Sequence, residues 1–154
     1  MYLNLNIASG FLLIKLFHTF ISITFIITAI ALIIRSFRGV YKRKEYSKTD
    51  KLLSIGFIIL LFLQLIFGFI LFSNIDSGMG YNYLGAGASA KIVSKRLWPI
   101  EHIVLMLFAL LIANLGLIIS INTKTDRSKH LNTLIYYSIS LALIFFSLFV
   151  NFVL

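Results

Sequence analysis

Few residues of this chain could do chemistry, and most of them stand inside apolar runs. The stretch "RLWPIEH", residues 96–102, puts Glu101 and His102 at the head of a run, 103–121, with no charged residue. His18 stands in "LFHTF" and Gln64 in "FLQLIFG", each within another such run. An ionisable side chain within a lipid-spanning segment is expensive and marks function by default. Two neutral imidazoles on facing helices at one depth can ligate a single haem iron from both sides. A carboxylate or amide beside a ligating imidazole orients it, a role open to Gln64 or Glu101. Gly68, one turn beyond Gln64, would leave room for the edge of a macrocycle. Zinc suits the set less well, because adjacent Glu101 and His102 point about 100° apart on a helix. A structural reading stands beside the chemical one. "WPIEH" also suits a plain helix start, with Trp98 at the water layer, Pro99 in the first turn and Glu101 near the positive end of the dipole. His18 could equally be a buried histidine bonded to a Ser or Gln across the bundle. His130, in "DRSKHLN", reads as interfacial.

The elements that must position these residues follow from composition. The 154 residues are 60% hydrophobic and 12% charged, with a mean hydropathy of +0.99. That is too much apolar surface for one water-soluble core, so lipid is the expected solvent. Four runs approach the ~20 apolar residues that a bilayer crossing needs; they cover about 16–34, 52–72, 97–121 and 131–154. The expected fold is all-α, a single-domain integral membrane up-down four-helix bundle. The start "MYLNLNIASG" lacks the basic region of a secretory signal. Without cysteine, thiolate metal sites, iron–sulfur clusters and thioether-linked haem are excluded.

Because lipid tails reward no apolar stripe, small and polar residues should mark the inward faces. His18, Ser22, Phe25 and Ala29 form such a seam in the first helix. The seams of the others are Gly56, Leu60, Gln64 and Gly68; His102, Met106, Ala109, Ala113 and Gly116; and Tyr137, Ser140, Ile144, Ser147 and Asn151. Counting rise per residue puts His18, Gln64, Gly68, Glu101, His102, Ser147 and Asn151 in the same half of the bilayer. The Gly-rich connection from residue 73 to 96 reads as a connector or as a lid over an outward pocket, with a short interfacial helix near 86–95.

Charge sets the orientation. The segment "RSFRGVYKRKEYSKTDK" holds seven Lys/Arg against two acids, and "NTKTDRSKH" holds three more. Basic loops favour the cytoplasmic side, so both termini and the histidine layer should face outward. The net charge of +9 calls for no nucleic acid, since no reading motif accompanies it. The basic loop is instead suited to anionic lipid.

The motifs "LFHTF", "FLQLIFG", "RLWPIEH" and "SKH" resemble those of a family of small bacterial four-helix membrane proteins loosely labelled cytochrome b. Relatives carry a His early in helix one and an "HLQLLIG"-like stretch in helix two. An "R-F-W-x-x-E-H" opens their helix three, and "K-H" opens helix four. The resemblance spans most of the chain and is most specific at Arg96, Trp98, Glu101 and His102. It places His18, Gln64, Gly68, Glu101, His102 and His130 on family positions. One position departs, since Phe62 stands where relatives carry the helix-two His.

The resemblance implies haem b in a bacterial inner (cytoplasmic) membrane. Two functions are expected from different classes. In the first, His18 and His102 ligate haem b between helices one and three. The protein then carries electrons, exchanged with a quinone or a membrane redox partner, and is neither hydrolase nor transferase. In the second, the chain is a cofactor-free accessory subunit whose polar layer keeps its own helices, or those of a homo- or hetero-oligomer, in register. A proton path through Glu101 and His18 is a lesser third.

Overall fold

The computed structural model describes the backbone of residues 2–73 and 90–153 and the side chains of residues 10, 12–73 and 100–150. It is all-helical: α1 (Tyr2–Lys42), α2 (Lys48–Ser73), α3 (Ala90–Asn122) and α4 (Asp126–Val153). All four are long and apolar enough to cross a membrane, making this a multi-pass membrane protein. The expected lid and the side chains of Arg96, Trp98, Pro99 and Asn151 lie outside the described residues.

The helices form a ring in which α1 packs on α2 and α4, and α3 on α2 and α4. α1 and α3 are therefore diagonal, as are α2 and α4. Contacts between helices sort into two groups. Residue 18 meets 64 and 102 meets 147; 35 meets 50, 39 meets 130 and 120 meets 133.

The side-chain distribution inverts that of a water-soluble bundle. Ile23, Ile27, Phe108, Leu111 and Phe149 are exposed, whereas Ala29, Ala109, Ala113, Ser140 and Ser147 are buried. Small residues let helix backbones approach, and in lipid this close packing replaces the hydrophobic drive. Outward hydroxyls are satisfied by their own helix: Thr19 donates to the Lys15 carbonyl, Thr24 to Phe20 and Thr28 to Thr24. None of these leaves an unpaired donor facing lipid. At the centre, Phe25 and Tyr137 each meet Phe57 edge-on, with centroids 6.1 and 5.3 Å apart. Edge-to-face pairs of this kind add about 0.5–1.5 kcal/mol beyond their buried area.

The expected seams of α1 and α3 agree with the structure, as does that of α4 through Ser147. That of α2 is rotated. Its buried residues are Asp50, Ser54, Phe57, Leu61 and Gln64, while Gly56 and Leu60 are only partly buried. The aromatic cluster explains this, because turning Phe57 inward carries the whole face with it. α3 also starts earlier than expected. It begins at Ala90, so Pro99 lies well inside the helix rather than in its first turn, and residues 90–95 of the expected interfacial helix belong to α3 itself, the rest of that stretch lying outside the described residues.

α1 ends in a Schellman cap. The Lys44 N–H reaches back to the Gly39 carbonyl at 3.1 Å, and Arg43 takes φ 49° in the left-handed region. Ser47 and Asp50 then start α2 as a capping box. The Ser47 N–H donates to Asp50 Oδ2 at 2.9 Å, and the Asp50 N–H reaches Ser47 Oγ at 3.3 Å.

Candidate functional site

One turn of each helix meets at the His18 level. The Ser22 hydroxyl, one turn along α1, donates to the His18 carbonyl at 2.8 Å, so its oxygen is free to accept. It accepts an N–H from the Gln64 amide of α2. The amide's nitrogen also lies 2.8 Å from His18 Nε2 and 3.2 Å from Nδ1. An amide N–H donating to a ring nitrogen requires that nitrogen to be unprotonated, so this contact fits a neutral imidazole. Gln64 is almost fully buried at 3% exposure, and its Oε1 has no partner.

Across the bundle, His102 Nδ1 and Ser147 Oγ are 2.7 Å apart, tying α3 to α4. His18 and His102 are each partly buried. Two imidazoles from diagonal helices thus share one level, each fixed by a polar side chain of the next helix along. Gly68 completes the layer: a Cβ there would stand 3.5 Å from His18 Nε2 and meet no other residue within 4 Å.

The expected residues do not all gather. His18, Gln64, Gly68 and His102 come together, and Ser147 joins them. Glu101 is exposed, while Gln64 bonds His18 and Ser147 bonds His102. Phe62 is 54% exposed and points outward, two residues from buried Gln64. Its position in α2 does not face the layer, so the absence of histidine there removes no inward ligand.

Two histidines on diagonal helices are the residue types that would be needed to ligate a haem from both sides. His102 is held through Nδ1 by Ser147. His18 Nε2 here accepts from Gln64. Among the described residues no group of three or more His, Cys, Asp or Glu gathers as a metal cluster.

The opposite end holds a second polar group that sequence reasoning placed at the interface. His130 is 2% exposed, packed against Gly39 and edge-on to Tyr46 at 5.0 Å. Buried Asp50 accepts a bond from Arg35 Nε at 2.8 Å, and the Tyr137 hydroxyl donates to the Ser54 carbonyl at 3.2 Å. The Ser47-x-x-Asp50 capping pattern was the sequence signal for part of this group. Between the two layers lie Phe25, Ala29, Leu32, Phe57, Leu61 and Ala113, all buried and apolar.

No family model matches the chain, and neither the curated proteins nor the solved structures gave a match.

Proposed function

We propose that this chain is an up-down four-helix protein of the bacterial inner membrane that holds haem b between α1 and α3, with His18 and His102 as axial ligands, and carries electrons. The observation that carries this reading is the pairing of the two imidazoles from diagonal helices, each oriented by Gln64 or Ser147. The up-down course is supported by the contact pairs 18–64 and 35–50 between α1 and α2, and 102–147 and 120–133 between α3 and α4. An outward course for both termini is supported by the basic segments 35–51 and 122–130 at the other end.

Haem would supply the redox centre. The chain's own part is to fix two neutral imidazoles, keep water out and set the polarity around the iron. Gln64 orients His18 and Ser147 orients His102. Among the described residues the middle of the bundle is mainly apolar, and its buried Tyr137 and Ser140 donate to backbone carbonyls, which lends a proton path no support. A quinone or a membrane redox protein is the expected electron partner, met from the lipid or from the outer face.

The second reading, a cofactor-free accessory subunit, is favoured by one observation. A ring nitrogen of each histidine already has a protein partner, and His18 Nε2 is among them. Substitution separates the two. If haem is bound, His18→Ala and His102→Ala each abolish the haem spectrum of a chain that still purifies as a folded helical protein. If the layer is structural, neither variant changes absorbance. Each then lowers stability by about 1–3 kcal/mol, the effect of leaving a buried polar partner unpaired.

A further inference from the structure

At the end of α1 the chain keeps a charge where backbone geometry favours none. Arg43 occupies the left-handed position of the Schellman cap with φ 49°. Glycine is the usual residue there because any Cβ crowds the backbone in that region. An arginine held in a strained cap invites a functional explanation for its side chain.

The surroundings supply one. Arg38, Lys42, Arg43 and Lys44 are all exposed, and among the described residues none is paired with a carboxylate. Arg35, by contrast, is neutralised by Asp50 at 2.8 Å. Arg38 and Lys42 stand one turn apart on α1, so their heads can converge on one anion. Beside them Phe37 and Tyr41, also one turn apart, are 60% and 80% exposed. Aromatic rings with cations next to them, at the end of a membrane-crossing helix, are the pattern of a headgroup-level belt. Unpaired cations at that depth meet lipid phosphates before any soluble anion.

We propose that the C-terminal turn of α1, through Arg38, Lys42, Arg43 and Lys44, is a binding surface for the phosphate of an anionic phospholipid, and that Arg43 is held in its strained cap for that contact. This surface rests on the membrane-spanning fold and does not depend on haem. The strain gives it a signature that general attraction between charges lacks: Arg43→Gly should relax the cap and weaken lipid binding together.

The test is native mass spectrometry of the full chain in a zwitterionic detergent, titrated with short-chain phosphatidylglycerol or phosphatidylcholine, alongside thermal unfolding. Phosphatidylglycerol should bind in preference to phosphatidylcholine. Arg43→Gly should lower that affinity about fivefold, the effect of one cation near a charged headgroup, while raising the unfolding temperature by about 2–4 °C. Arg38→Gln with Lys42→Gln should lower it about twenty-fivefold. Lys15→Gln, on the same helix but toward the opposite end, should leave it unchanged. The proposal is overturned if phosphatidylglycerol shows no preference, if Lys15→Gln weakens it as much as Arg43→Gly, or if Arg43→Gly raises stability with no loss of lipid. Displacement of the lipid by an equal concentration of inorganic phosphate would also overturn it, by assigning the surface to a free anion.

Discussion

Each end of the bundle sets a glycine of one helix against a histidine of another, and the two pairs are built to opposite ends. At Gly39 an added Cβ would stand 2.4 Å from the Cγ of His130, inside the ring's own volume. At Gly68 it would stand 3.5 Å from His18 Nε2, an ordinary contact. His130 is 2% exposed with its ring boxed between Gly39 and Tyr46. His18 is only partly buried, beside an amide whose oxygen has no partner. One histidine is a packing piece that closes the basic end. The other is bonded to a polar neighbour and tolerates an added methyl at Gly68.

Substitution should separate these pairs by size of effect. Gly39→Ala should be the most damaging, at about 3 kcal/mol, because the base of a buried ring cannot rotate away and the α1–α4 contact must open. The readout is a lowered thermal unfolding midpoint in detergent. An undiminished midpoint would mean that the basic end is looser than described. Tyr137→Phe should cost about 1 kcal/mol by removing the bond to the Ser54 carbonyl while keeping the aromatic cluster. Chemical unfolding of the variant beside Phe57→Leu would show whether the bond or the ring matters more there. Gly68→Ala should change stability least. The ordinary contact adds no strain, and alanine's helix propensity offers up to about 1 kcal/mol in its favour. A large loss at Gly68 would erase the contrast and make the His18 level as closed as the other.

The same contrast explains what could be read in the sequence. The helices, three of the inward faces and the grouping of His18, Gln64, His102 and Ser147 follow from where polar residues interrupt apolar runs. In lipid a polar residue has few places to go but inward. The α2 face was misread because its spaced glycines suggested a seam, whereas Phe57 sets the rotation by filling the centre with Phe25 and Tyr137. The burial of Asp50 and His130 was hidden for a different reason. Both lie beside basic connections and read as watery, but α1 runs to Lys42, and its cap and the Ser47–Asp50 box fold the connection over the bundle's end. Sequence periodicity carries little information about how far a helix continues past the lipid. Glu101 is exposed, in keeping with the helix-start alternative that its place in "WPIEH" also allows.

The central claim is that the His18–His102 level holds haem. Its most direct test is the dithionite-reduced minus oxidised visible spectrum of the chain purified from haem-replete cells, with a pyridine haemochrome measurement of haem per chain. The account predicts sharp reduced α and β bands at about one haem per chain, as six-coordinate haem gives. A colourless, folded protein would contradict it and leave the layer as a hydrogen-bonded fastening between helices.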